Sequence, residues 1–184
     1  MDLRTDRLAL RPVRFADLDA IAGLLADPEV VRFIGDGTPR SRERAAVTVS
    51  NAVRMWDERG FGPFLVERRD GDPRFVGACL LFPIAHSGID TTDLDARGPE
   101  IEIGYWLARD AWGQGFATEA AAAVLAWATS REGPGLERVL GVTLPANEPS
   151  KRVLEKIGME LVGETDSFYD TVTTLYETPG RTGG

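Results

Sequence analysis

Apolar and polar positions alternate over Leu8-Ala9-Leu10-Arg11-Pro12 with the two-residue period of a strand, and Leu18, Ile21, Ala22 and Leu25 then recur at the spacing of a helix running from Phe15 to Ala26. Pro28 blocks its simple continuation. A second helix is predicted from about Ser41 to Arg59, burying Ala45, Ala46, Val49, Ala52, Val53 and Trp56, with Gly60 as its stop. Two strand-like runs follow, Phe61 to Val66 and Phe75 to Phe82. The Asp-Gly pair inside Arg68-Arg69-Asp70-Gly71-Asp72-Pro73 predicts that they form an antiparallel hairpin. No period holds from Pro83 to Pro99, and Ser87-Gly88, Asp90, Asp93 and Asp95 predict an exposed loop, long for a hairpin connection.

Alternation returns over Glu100 to Leu107. After the turn-like Arg109-Asp110, an Ala-rich helix is expected from about Gly115 to Ser130 and a strand from Arg138 to Leu144. A strand, a helix and a strand in that order make a crossover unit, which predicts one parallel pair. A short helix beginning near Pro149 carries Val153, Leu154 and Ile157 and ends at Gly158. Strands at about Glu160 to Gly163 and Phe168 to Glu177 complete the pattern. No repeat or linker divides the chain, so one domain over 1–178 is expected, with a flexible tail at 179–184.

Composition narrows the chemistry. The 184 residues carry 21 Lys+Arg against 29 Asp+Glu, a net charge of −8, and 43% are hydrophobic. Such a chain buries roughly 70% of its unfolded surface and needs neither disulfide nor structural metal to fold. No apolar run approaches the roughly 18 to 20 residues of a membrane span, and the opening Met1 to Arg7 lacks the apolar region of a signal peptide, so a cytoplasmic protein without a membrane partner is expected. An acidic chain lacks the basic field that dominates nucleic-acid affinity, so no nucleic-acid partner is expected. With one cysteine and one histidine, Cys79 and His86, the usual zinc ligand sets are missing and no metal is expected. Cys79 lies in the apolar run Val76 to Leu81 without a histidine partner, which reads as a core thiol and not as an acyl-carrying nucleophile. Trp106, Trp112 and Trp127 read as packing groups.

Two segments carry candidate chemistry. Trp112-Gly113-Gln114-Gly115-Phe116-Ala117-Thr118-Glu119 sets glycines between a strand and a helix start, where free backbone N–H groups, the helix dipole and missing side chains favour an anion. Plain turn chemistry is the competing reading. A P-loop would need a lysine that is absent here. A dinucleotide fingerprint would need a third small residue where Thr118 stands, and an acid at the end of the next strand, whereas Glu137 precedes it. Asn147 to Met159 reads locally as a capped helix, with Asn near the cap, Pro in the first turn and Gly158 at the stop.

Taken together, Leu3 to Leu8 with Leu10-Arg11-Pro12, Glu102 to Leu107, Trp112 to Ala120 and Asn147 to Gly158 resemble, in order, the GNAT superfamily of N-acetyltransferases, especially the branch acting on the N-termini of ribosomal proteins. The resemblance implies an α+β fold: a mixed, mostly antiparallel central sheet flanked by helices, with a splayed parallel strand pair. It implies acetyl-CoA as cosubstrate, its pyrophosphate against the backbone of Gly113, Gln114, Gly115, Phe116, Ala117 and Thr118. Pantetheine would pair with the strand edge at Tyr105, Trp106 and Leu107 and be held by Asn147. Trp112 stands where the broad family pattern has Arg or Gln, and Leu154 where many members carry a tyrosine acid.

The chemistry requires a base for the amine proton and a proton for the departing thiolate. Glu102 is the candidate base, against a solvated strand face as the plain alternative. Ser150 is the candidate acid, against a local helix-start hydrogen bond. The expected activity is direct acetyl transfer to a primary amine, on a protein N-terminus or a small molecule. A noncatalytic acyl-CoA-binding or interaction module is the rival. The expected partners are acetyl-CoA, the amine acceptor and, as a candidate homodimer, a second copy of the chain. The loop from Pro83 to Pro99 is expected to border the acceptor entrance, with Asp90, Asp93 and Asp95 attracting a cationic amine.

Overall fold

The computed structural model describes residues 1–69, 74–90 and 92–180. The Asp70-Gly71-Asp72-Pro73 turn and the 181–184 end of the expected tail lie outside the described residues. The strands are β1 (Leu3–Arg4), β2 (Leu8–Pro12), β3 (Phe64–Arg68), β4 (Arg74–Pro83), β5 (Ile101–Leu107), β6 (Leu140–Thr143), β7 (Glu160–Thr165) and β8 (Thr173–Glu177). The helices are α1 (Leu18–Ala26), α2 (Pro28–Val31), α3 (Arg42–Arg59), α4 (Phe116–Ala128) and α5 (Glu148–Lys156). Among the described residues the strands form one sheet in the order β1-β2-β3-β4-β5-β6-β8-β7. Every neighbouring pair is antiparallel except β5 and β6, so the fold is mixed α+β. No helix among the described residues is long and apolar enough to cross a membrane.

The middle of the sheet is buried on both faces, which is why β4 reads as a nearly continuous apolar run. With the two-residue period, Phe64, Val66, Cys79, Leu81 and Ile103 join α4 through Phe116, Ala120, Ala121 and Val124. Leu65, Ala78 and Leu80 turn to the other face, against Ile21 and Leu25 of α1 and Val49 and Ala52 of α3. Trp56, Phe64 and Trp127 form an aromatic cluster with ring centroids 4.9, 5.4 and 5.9 Å apart, so Trp127 packs as expected. Cys79 is fully buried and its thiol is pushed up to about 12 by burial, which keeps it protonated and inert. Gly77 lies opposite Leu107 so closely that a Cβ there would sit 2.1 Å from the Trp106 carbonyl oxygen.

Several boundaries differ from expectation, each for a local reason. The first predicted helix opens with a 3-10 turn at Phe15–Asp17, where the Asp17 carboxylate accepts from the Arg14 amide at 2.7 Å and from both Arg11 Nη atoms at 2.8 and 2.9 Å. Pro28 begins α2 at its first helical position, capped by Asp27. The strand expected from Phe61 starts at Phe64, because Gly60 turns left-handed and Phe61 packs into the core. The last strand starts at Thr173 and not at Phe168. Residues 166–170 are bonded instead to 85–88: Ser87 N–H to Ser167 O at 2.8 Å, Tyr169 N–H to Ala85 O at 3.1 Å, and His86 paired with Phe168. The segment expected as an exposed loop is therefore partly docked, with Ile84 and Ala85 at 0% exposure and Leu94 at 2%.

Candidate functional site

Strands β5 and β6 pair only at Glu102 and Leu140, while β6 continues along β8. Beyond that point the two parallel strands diverge, and a cleft of about 570 Å³ opens between them. Its lining runs from Ile21, Phe33, Ile34, Arg40 and Val47 on the α1–α3 side, across Glu102, Gly104 and Trp106, to Asn147, Ser150 and Leu154 of α5. The volume lies in the range of small-ligand sites.

Glu102 sits on this floor, half-buried, with its Oε1 accepting the hydroxyl of Tyr169. Burial pushes its carboxyl up to about 7, against the hydrogen bond from Tyr169 and the nearby Arg97, both of which favour the ionised form. A carboxyl poised near neutrality in a cleft can accept a proton from an ammonium or a bridging water. Ser150, in the first turn of α5, lies with its Oγ 2.9 Å from the Tyr105 hydroxyl, which is also 3.0 Å from the Ser150 carbonyl oxygen. Burial raises the Tyr105 phenol, so its hydroxyl stays protonated and can hydrogen-bond Ser150 at neutral pH. Asn147 caps α5, its Oδ1 accepting from the Ser150 amide at 3.3 Å, and it also lines the cleft. The capping reading and the site reading thus fall on the same residue.

At the far end of β5 the chain turns through a 3-10 turn, Arg109–Ala111, into α4. Gly113 and Gly115 have φ of +73° and +81°, a left-handed conformation that disfavours a side chain. Among the described residues the amides of Phe116, Ala117 and Thr118 have no backbone partner, so three N–H groups and the helix dipole point outward at one place. The turn is fixed from the N-terminus of the chain. Glu119 accepts from Thr5 Oγ1 at 2.5 Å, Arg7 N–H at 3.0 Å and Arg7 Nε at 2.6 Å, and Arg7 Nη1 reaches Gln114 O at 2.9 Å. Although burial acts against the ionised Glu119, these hydrogen bonds outweigh it and hold its carboxyl below the ordinary value. Gln114 is tied at both ends, its Nε2 donating to Asp110 O. Phe116 is buried beneath the Arg7 and Arg68 guanidinium groups.

The expected residues therefore fall into two linked sets. Glu102, Tyr105, Trp106, Asn147 and Ser150 line the cleft, and Gly113 to Thr118 form the helix start. Leu107 does not line the cleft: its side chain packs on the core and its carbonyl accepts the Trp112 indole at 2.8 Å. Trp112 is 47% exposed and is not a core group. The carboxylates of the 83–99 segment are engaged. Asp90 accepts from Thr92, Asp93 from the Asp95 amide, and Asp95 pairs with Arg54 at 2.9 Å. Tyr169 and Arg40 escape a reading of the sequence, since neither stands in a periodic or motif-like stretch. Arg7 falls within the N-terminal family block, but only the fold brings it to α4.

The family model for the GNAT acetyltransferase domain matches residues 7–160. An uncharacterized N-acetyltransferase, YoaA of Bacillus subtilis, is 28% identical over 96% of this chain and 92% of its own. An acetyltransferase from Agrobacterium tumefaciens superposes with a TM-score of 0.77 at 25% identity, covering 97% of this chain and 94% of its own. RimL, a ribosomal L7/L12 alpha-N-protein acetyltransferase in complex with coenzyme A, shares the fold with a TM-score of 0.76 at 16% identity over the whole of both chains.

Proposed function

Because the chain belongs to the GNAT acetyltransferase family, and is thus an acyl-CoA-dependent N-acetyltransferase, we propose that it moves acetyl from acetyl-CoA directly to a primary amine through the cleft between β5 and β6. The observation that carries this reading is the continuity of the cleft: one space joins Glu102 to Ser150, beside the strand that leads to the unpaired amides of α4. Phe116, Ala117 and Thr118 fit a pyrophosphate, since their N–H groups converge where Gly113 and Gly115 leave room for its approach. The diverging edges of β5 and β6 fit the pantetheine arm, with Asn147 holding it from α5. Acetyl-CoA supplies an activated thioester. Glu102 takes the proton of the incoming amine, directly or through water, and Tyr169 holds the carboxylate in place. Ser150 supplies the proton at the sulfur while hydrogen-bonded to the Tyr105 hydroxyl, and solvent returns that proton to Ser150 as Glu102 releases the one it took from the amine. No covalent enzyme intermediate is needed, and the inert Cys79 offers none.

A panel of primary amines, including a peptide N-terminus, tests this by thiol release from acetyl-CoA, alongside calorimetric titration of CoA. Release that depends on the amine supports transfer. Tight CoA binding without release for any amine would identify a noncatalytic acyl-CoA-binding module instead.

A further inference from the structure

Resting on that reading, we propose that the acceptor is an amine that also carries a carboxylate or phosphate group, seated on Arg40 and Arg44 while its amino group faces Glu102. Among the described residues the charged side chains that line the cleft are Arg40, Arg44, Arg97 and Glu102. The cleft is therefore cationic inside a chain whose net charge is −8. A cationic acceptor would meet one carboxylate and three guanidinium groups, whereas an amine bearing an anion can satisfy both signs at once.

Arg40 is a half-buried cation of the cleft wall. It stands just before α3, its guanidinium lies 5.6 Å from the centre of the Trp106 ring, and its side-chain hydrogen bond is to the neutral Thr48 hydroxyl at 3.2 Å. Among the described residues no carboxylate pairs with it. Burial disfavours its charged form, Arg44 and Arg97 add repulsion, and Asp36 opposes them only at a distance. A desolvated cation without a counter-ion is costly, and a planar guanidinium is shaped to take a carboxylate or phosphate through two parallel bonds. Arg44 and Thr48 stand one helical turn apart on the same wall, and Arg44 is exposed at the mouth. Asp36 and Asp90, which both feel the charge of Arg44, also accept hydrogen bonds from Thr38 and Thr92. Phe33, Ile34 and Val47 supply apolar wall between, so the ligand class is an amino acid or an aminoalkyl phosphate with an apolar body.

The test is calorimetric titration of matched pairs into the CoA-saturated chain: phenylalanine against phenylalaninamide, and phosphoethanolamine against ethanolamine, with spermidine as a cationic control. The anionic member should bind about ten- to a hundredfold more tightly, the range of a charge-assisted hydrogen bond. In Arg40→Gln and Arg44→Gln that preference should collapse toward unity, and in Arg44→Glu it should invert. Arg44 is exposed, so its variants answer even if Arg40→Gln fails to fold. Whichever pair shows the larger ratio identifies carboxylate or phosphate. Equal affinity within both pairs, or tighter binding of spermidine, would overturn the proposal. So would arginine variants that weaken CoA and leave the amine ratio alone, because the arginines would then serve the donor. Thiol release is read in parallel. Its absence with every amine counts against the transferase reading, while the anion preference still decides the role of the arginines.

Discussion

The Tyr169 hydroxyl donates to Oε1 of Glu102, tying the connection between β7 and β8 to the middle of the sheet. Tyr169 and Asp170 both hold positive φ, +60° and +54°, a conformation that costs a non-glycine residue about 1–2 kcal/mol. Three bonds to 85–88 offset that cost. Tyr169 N–H reaches Ala85 O at 3.1 Å, Asp170 N–H reaches Ser87 Oγ at 3.1 Å, and the Gly88 amide donates to the Asp170 carboxylate at 2.6 Å. The carboxylate is thus oriented by a turn that is itself held by the segment leading into β5.

Tyr169→Phe removes a donor that favours ionised Glu102, so the carboxyl should rise further and the acid limb of the kcat/KM profile should move to higher pH. A purely structural role for Tyr169 would lower the plateau without moving the limb. The pH–rate profile separates the two.

Glu102→Gln should reduce kcat by about a hundredfold or more, with acetyl-CoA affinity nearly unchanged. As the proposed base, Glu102 works deprotonated, and its carboxyl is pushed up to about 7, so kcat/KM should climb through neutrality and level above it. The glutamine variant should lose that limb. Steady-state kinetics from pH 5 to 9 checks both.

Ser150→Ala should lower kcat about tenfold or more, because the hydrogen bond at sulfur matters as the thiolate departs. CoA affinity by calorimetry should change little. Tyr105→Phe should give a smaller loss in the same direction and add little to the Ser150 variant, since the two hydroxyls lie 2.9 Å apart and act together.

Most of the framework is legible in the sequence because local periodicity and burial agree. Leu8–Pro12 carries its strand signal without help, and the β5 alternation places Ile101 and Ile103 in the core and Glu102 in the cleft. Asn147 and Gly158 bound α5 as cap chemistry predicts, although the helix proper ends at Lys156. What local pattern cannot carry are contacts made across the chain. The docking of 85–88 on 166–170 joins segments about 80 residues apart, and neither has a period. Tyr169 enters the site only through that docking. Arg40 sits in an irregular stretch, and nothing local shows that Trp106 and Thr48 will surround it. Asp95 looks free to steer a ligand because its partner, Arg54, is distant in sequence, whereas Asp90 and Asp93 are engaged locally by Thr92 and by the Asp95 amide.

Gly115→Val should weaken CoA binding at least tenfold, with a stability loss of about 1–2 kcal/mol. A branched side chain at φ +81° is strained, and its Cβ would sit 3.4 Å from Arg7 Nη2. Calorimetry on the folded variant, beside thermal unfolding, distinguishes loss of the anion site from loss of the fold.

Asp17→Asn should destabilise the chain by about 1–3 kcal/mol, since it weakens a bidentate pair between buried Asp17 and half-buried Arg11, which keeps Glu67 as a second partner. Burial of Asp17 opposes its ionisation, but Arg11 and the Arg14 amide outweigh it and lower the carboxyl below its ordinary value. The native state therefore binds this proton less readily than the unfolded chain. Its contribution is complete above the unfolded value near 3.8 and is lost as pH falls through the lower, folded value. Urea unfolding at pH 7 and below pH 4 should show the variant and wild type converging in acid.

The bond between Arg7 and Glu119 spans 112 residues, so the turn it shapes cannot be assembled by neighbouring chain alone. The first strands and α4 must already be docked before Gln114 and the three amides behind it take their places. A polyanion held there binds the folded ensemble and not its fragments, and at a hundredfold excess over its dissociation constant it deepens global stability by about 2.7 kcal/mol. Donor supply and protein lifetime are then coupled. On the proposed reading, when acetyl-CoA and free CoA are both scarce the anion site empties, and the unfolded population on which proteases act grows.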